Sequence, residues 1–167
     1  MAGVVLMCIF AGAWWWAGVA LSGQPTALGL VGPVISLVVI GVVRLFMRSG
    51  VAPDAAERKR AGRVLGWAVA FEAIAIVVAI NVLRALHQED LTLPAIAVIV
   101  GLHFLPLASG LRLRRYYISA AALVLLGGGS VFVDAAVRPL VVGAGSAAVL
   151  WLTCLSRLRP AAQSVHA

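Results

Sequence analysis

The chain has 167 residues, of which 63% are hydrophobic and 11% are charged, and its formal net charge is +7. Soluble domains are about half apolar and a quarter charged, so this composition excludes a soluble globular domain, a disordered chain and a small disulfide scaffold. The mean hydropathy of +1.07 instead indicates a protein that crosses a membrane several times.

Six apolar segments follow one another along the chain, and each is close to the ~20 residues that cross a bilayer as a helix. The apolar runs are continuous and not alternating, which favours helices over the strands of a membrane barrel. The sequence therefore predicts a single all-α transmembrane domain over residues 1–167, a bundle of six helices. The predicted spans are Gly3–Leu21, Thr26–Met47, Arg63–Leu86, Leu93–Leu111, Tyr116–Val133 and Pro139–Leu158.

The basic residues are divided unequally between the two ends of such a bundle. Eleven of the 13 Lys and Arg residues fall on the side that holds both termini and the second and fourth loops, and the other two are Arg84 and Arg138. Cytoplasmic loops of membrane proteins carry the excess of positive charge. Both termini are therefore predicted to be cytoplasmic, in the cell (inner or plasma) membrane, and the basic charge needs no nucleic-acid partner to explain it.

Small residues recur within the spans, in Gly62-x-x-x-Gly66, in Gly127–Ser130 and in Gly143–Ser146. Small side chains let helices approach closely in lipid, so we expect tight packing of the bundle or of a homodimer at these positions. The two cysteines, Cys8 and Cys154, belong to no metal or redox motif and are predicted to be buried, inert thiols.

Two ionisable side chains lie within the spans, Glu72 in the third and His103 in the fourth. A charge at the centre of a bilayer costs on the order of 3 kcal/mol, so such residues are functional candidates. Glu72 is nine residues after Arg63 and His103 is eight residues before Leu111. At about 1.5 Å per residue the two lie at similar depths. Because a short loop joins their helices, the two side chains can meet near the membrane centre, although these distances do not fix the rotation of either helix about its axis.

Glu72 and His103 together offer acid–base chemistry. A carboxyl group in apolar surroundings favours its neutral, protonated form, which can act as a general acid. Pro106 follows His103 by three residues and frees a backbone carbonyl near Leu102, which predicts a kink beside the imidazole. The alternative is a buried Glu–His contact that only fixes helix packing.

Other polar and aromatic residues are weaker candidates. Asn81 lies about 180° around the helix from Glu72, so the two form no single polar stripe, and Asn81 is either a packing residue or a ligand. Asp134 and Arg138, four residues apart, are predicted to pair at the outer surface. The run Trp14-Trp15-Trp16 turns about 100° per residue, so at least one of its rings should point inward, and Trp15 is a candidate for a binding wall.

This sequence lacks the motifs that define several classes of enzyme and transporter. It contains no Walker motif, no HExxH, no GxSxG and no acid-rich cluster for a Mg²⁺-bound diphosphate. We therefore expect neither a metal nor a cofactor. The remaining partners are membrane lipid and a small hydrophobic substrate.

The small size, the all-helical membrane architecture and an intramembrane acid flanked by aromatics are similar to the small membrane-bound, metal-free terpene cyclases. Those enzymes protonate an isoprenoid alkene or epoxide and guide a carbocation cascade. The resemblance implies that Glu72 is the proton donor and that His103 is its partner or the final base. It also implies that Trp67, Phe71 and Phe104 stabilise the cation. The run Gly101–Ala108 also resembles segments of uncharacterised bacterial six-span proteins.

The sequence leaves three functions open. The first is an enzyme that cyclises an isoprenoid-type substrate, with Glu72 and His103 as catalytic residues. Its substrate-binding candidates are Trp67, Phe71, Phe104, Asn81 and Trp15. The second is a proton-coupled transporter or channel in which Glu72 and His103 form a relay, although the sequence has no convincing internal repeat. The third is a structural membrane subunit.

Overall fold

The structure, a computed structural model, describes residues 2–46, 55–110 and 113–158, and every regular element in these ranges is a helix. Six helical stretches are long and apolar enough to cross a membrane, which confirms the prediction of six all-α spans. The predicted ends at Met47 and Leu111 lie outside the described residues. The helices are α1 (Ala2–Leu21), α2 (Thr26–Gly29), α3 (Val31–Phe46), α4 (Ala55–Ala85), α5 (Thr92–Gly110), α6 (Arg114–Gly129) and α7 (Arg138–Leu155).

The bundle is built on the antiparallel pair α1 and α7, which touch backbone to backbone. A Cβ added to Gly143 would lie 2.5 Å from the Cα of Gly18 and 2.6 Å from the carbonyl oxygen of Trp14. Only glycine therefore fits this crossing. Helices α5 and α6 approach in the same way, because a Cβ on Gly127 would lie 2.6 Å from the carbonyl oxygen of Pro94. The expected role of small residues is confirmed at these positions, whereas Gly62 and Gly66 face open space.

Hydrogen bonds from polar side chains hold the helices that flank the α1–α7 pair. The indole nitrogen of Trp151 in α7 donates to the hydroxyl of Ser36 in α3 over 3.0 Å, and that hydroxyl donates to the carbonyl of Cys8 in α1 over 2.8 Å. The hydroxyls of Ser119 in α6 and Thr153 in α7 are 2.6 Å apart. These polar side chains are buried and need partners within the protein, so their hydrogen bonds hold the helices in a fixed register.

One end of the bundle is closed by Arg138, which is buried. Its guanidinium pairs with Asp90, before α5, and donates to the carbonyls of Ser130 (3.1 Å) and Val133 (3.0 Å), after α6. The predicted pair of Asp134 and Arg138 is therefore wrong. Asp134 instead accepts a hydrogen bond from the backbone N–H of Ala136, because a carboxylate at a turn readily bonds the backbone two residues on.

Helix α4 lies at the edge of the bundle. It packs mainly against α5, and Ala68 is the only buried side chain among those described in α4. An open space remains between α1 and the hairpin formed by α4 and α5, so polar side chains of α4 can face it.

We expect Gly143→Ala to lower the free energy of unfolding by about 1–3 kcal/mol, because the new methyl group meets backbone atoms that cannot rotate away. Thermal unfolding of the purified protein in detergent measures this effect. The matched control is Gly128→Ala, where nothing lies within 4 Å and helix propensity improves. An equal effect of both substitutions would contradict the α1–α7 contact.

Candidate functional site

Glu72 and His103 are in contact, which their similar depths allowed but did not establish. Helices α4 and α5 run antiparallel, and the carboxylate oxygen Oε2 of Glu72 lies 3.2 Å from the imidazole Nδ1 of His103. The side chains are 18% and 9% exposed, respectively, so both are largely enclosed by protein. An acid and an imidazole are thus held together within two helices that are long and apolar enough to cross a membrane.

The two atoms are close, but the imidazole and the carboxylate are not oriented to form a hydrogen bond. Nδ1 of His103 is buried and has no aligned hydrogen-bond partner among the described residues, although Oε2 of Glu72 is within reach. Catalytic hydrogen bonds are often poorly aligned before substrate binds and tighten in the complex. A small rotation of either side chain would therefore let the pair share a proton.

The imidazole faces a groove between α4 and α5, which we name the α4/α5 groove. It has a volume of about 590 Å³, and it is open to the side of the bundle. Trp67 and Phe71 are 76% and 70% exposed, so their ring surfaces are free. The lining residues are Arg63, Val64, Trp67, Ala68, Phe71, Leu102, His103, Pro106, Ser109 and Gly110.

Glu72 lines a second, smaller groove on the other side of the pair, which we name the α1/α5 groove. Its volume is about 240 Å³, and its walls come from α1, α4 and α5. The lining residues are Phe10, Ala13, Trp14, Ala17, Glu72, Ile76, Leu93, Ile96 and Val100. The acid and the imidazole therefore form part of the wall between two apolar grooves.

Three of the predicted binding residues lie outside both grooves. The ring of Phe104 is buried, edge-on to Tyr116 at 5.5 Å between centroids and perpendicular to His103 at 6.0 Å. The side chain of Asn81 is exposed and donates to the carbonyl of Val77 in its own helix over 2.7 Å. The indole of Trp15 donates to the carbonyl of Leu28 over 2.8 Å. None of the three lines a groove: Phe104 and Trp15 contact neighbouring helices, whereas Asn81 bonds only its own.

The structure adds groove residues that the sequence did not single out. Trp14, and not Trp15, is the buried ring of the tryptophan run, whereas Trp16 is 59% exposed. The expectation that one ring of the run turns inward is confirmed, but the sequence could not say which one. Arg63 and Ser109 place polar groups at one end of the α4/α5 groove. Both lie near the ends of their apolar spans, and the sequence analysis gave neither of them a binding role.

The described residues include no group of three or more His, Cys, Asp or Glu side chains that could hold a metal ion. Comparison of the chain with protein-family models, curated proteins and solved structures found no match. Function is therefore inferred from the geometry of Glu72, His103 and the two grooves.

A double-mutant cycle of Glu72→Leu and His103→Leu is expected to show a coupling energy of about 0.5–3 kcal/mol, because the two side chains touch. Denaturation of the four purified proteins in detergent measures it. Asn81→Leu is the control, since it removes a polar side chain of α4 that bonds only its own helix. Effects that add to within about 0.5 kcal/mol would show that the contact carries no interaction energy.

Proposed function

We propose that this chain is an integral membrane enzyme that protonates and cyclises a lipid-soluble, isoprenoid-type substrate in the α4/α5 groove. The observation that carries this proposal is the contact between Glu72 and His103, whose imidazole opens into an apolar groove bordered by the free rings of Trp67 and Phe71. A proton source beside aromatic surfaces suits the formation of a carbocation from an apolar molecule.

The form of the groove supports a substrate that arrives through the bilayer. Its volume falls within the range of about 300–1,000 Å³ that is typical of small-molecule sites, and most of its lining is apolar. It opens at the flank of the bundle, where the surrounding helix surface meets lipid. An isoprenoid chain dissolved in the membrane could enter sideways without crossing water.

The reaction needs only the proton of the pair. Because His103, and not Glu72, lines this groove, Glu72 supplies its proton through the imidazole: it protonates His103, and the imidazolium adds a proton to a C=C bond of the substrate. The π electrons form the new C–H bond and leave a cation on the neighbouring carbon, beside Trp67 and Phe71. A second C=C bond attacks this cation and closes a ring. The final cation loses a proton to the imidazole, so product and substrate have the same mass.

We expect membranes that carry the wild type to convert a linear isoprenoid into an isomer of equal mass and shifted retention in chromatography with mass detection. In D₂O the product should gain one carbon-bound deuterium, because the proton comes from exchangeable groups. Glu72→Gln and His103→Gln should each lose roughly 100-fold or more of the rate.

Glu89→Gln is the matched control for the cyclisation assay, since this acid is exposed in the turn before α5 and lies away from both grooves. It should react like the wild type. A product that Glu72→Gln makes at the wild-type rate, or one without deuterium, would contradict the assigned roles.

The orientation that we propose places both termini in the cytoplasm. Its support is the charge pattern, because the end of the bundle that holds the start of α1 and the end of α7 carries most of the basic residues. A fluorescent protein fused to the C-terminus should fluoresce, and alkaline phosphatase fused there should be inactive. The opposite result would reverse the orientation.

Proton-coupled transport is the second candidate, and one observation favours it. His103 lines the α4/α5 groove and Glu72 lines the α1/α5 groove, so a proton shared by the pair would move from one groove to the other. If no isoprenoid from a broad panel reacts, proton uptake by liposomes that hold the wild type or Glu72→Gln decides between this function and a structural role.

A further inference from the structure

Two arginines converge on one tyrosine at the end of the bundle opposite the Arg138–Asp90 pair. The guanidinium of Arg157, which follows α7, donates to the hydroxyl of Tyr116 over 2.9 Å. The guanidinium carbon of Arg115 lies 6.0 Å from the centroid of the same ring. Two positive charges therefore share a single neutral neighbour.

Neither guanidinium has a carboxylate partner among the described side chains, and the Nε atoms of Arg115 and Arg157 are buried without a hydrogen bond. Arginines that only set membrane orientation extend into water. Arg114 does so and is exposed, whereas Arg115 and Arg157 are half-buried. Orientation by charge thus explains Arg114 and leaves the other two unexplained.

The position of Arg115 adds a second cost. It lies in the first turn of α6, a turn without an acidic residue or a side-chain cap, where the helix dipole is already positive. Arg157 follows the C-terminus of α7, where a cation is favourable, so its own position costs nothing. The unexplained feature is that two arginines beside one tyrosine each keep a buried Nε without a hydrogen-bond partner among the described residues, which an anion bound between them would supply.

We propose that Arg115 and Arg157, the latter positioned by Tyr116, bind the phosphate of an anionic lipid headgroup. Guanidinium N–H groups match phosphate oxygens in geometry and charge. Tyr116 is buried, and its hydroxyl accepts a hydrogen bond from Arg157, so it holds that guanidinium in place. The three side chains lie where α6 begins and α7 ends, at the level where a spanning bundle meets headgroups, and basic pockets between helices there bind acidic lipids. This site is independent of the cyclisation proposed above.

The test is a titration of the purified full-length protein in detergent, followed by thermal unfolding. The probes are phosphatidylglycerol, phosphatidylcholine with the same acyl chains, and sodium phosphate. Phosphatidylglycerol should stabilise the wild type saturably and more than the other two. Arg157→Gln and Arg115→Gln should each weaken its apparent affinity about tenfold or more, because each removes a charged hydrogen-bond donor.

Two further variants separate a built site from general attraction. Arg114→Gln removes an equal charge one residue away and should bind like the wild type. Tyr116→Phe keeps the aromatic packing and should still bind more weakly. Equal binding by the wild type and the Arg115 and Arg157 variants would overturn the site. Stabilisation by sodium phosphate as strong as that by phosphatidylglycerol would overturn the lipid and assign the site to a soluble anion.

Discussion

The backbone contact between α1 and α7 at Gly18 and Gly143 is the constraint on which the other helix positions depend. Because lipid is as apolar as the helix surfaces, association depends on close packing and on the few polar side chains that bond across helices. The glycines bring the two helices together, and Ser36 and Ser119 then place α3 and α6 against them. Helix α5 packs on α6, which leaves α4 at the edge and both grooves beside it.

The number of spans and the similar depths of Glu72 and His103 could be predicted because both follow from distances along the chain, whereas their contact also requires particular rotations of the two helices. Apolar length counts helices, and residue rise gives depth. The rotation of each helix about its axis does not follow from such distances. The sequence analysis therefore named Trp15, although Trp14 is the tryptophan that lines a groove. It also expected Phe104 in the wall of a binding site, although this ring packs on Tyr116. The partner of Arg138 was missed because helical spacing favoured Asp134, while the fold brings the distant Asp90 closer.

The two arginine sites differ in whether the guanidinium groups find hydrogen-bond partners within the protein. Arg138 is buried and its donors are used by Asp90 and two backbone carbonyls, so its charge is neutralised within the chain. Arg115 and Arg157 retain donors that the described residues do not use. Arg138, whose hydrogen bonds are all made within the chain, stabilises the fold. The unused donors of Arg115 and Arg157 are the basis of the proposed lipid site.

The pairing of Asp90 with Arg138 has a mechanical consequence for α4. The α4–α5 turn is anchored next to Asp90, and α4 extends from it with contacts mainly along one side. At the other end of α4, a Cβ added to Gly110 would lie 2.8 Å from a methyl carbon of Val64, so α4 is held close to α5 there as well. The contact between Glu72 and His103 therefore lies between two fixed points of the α4–α5 pair.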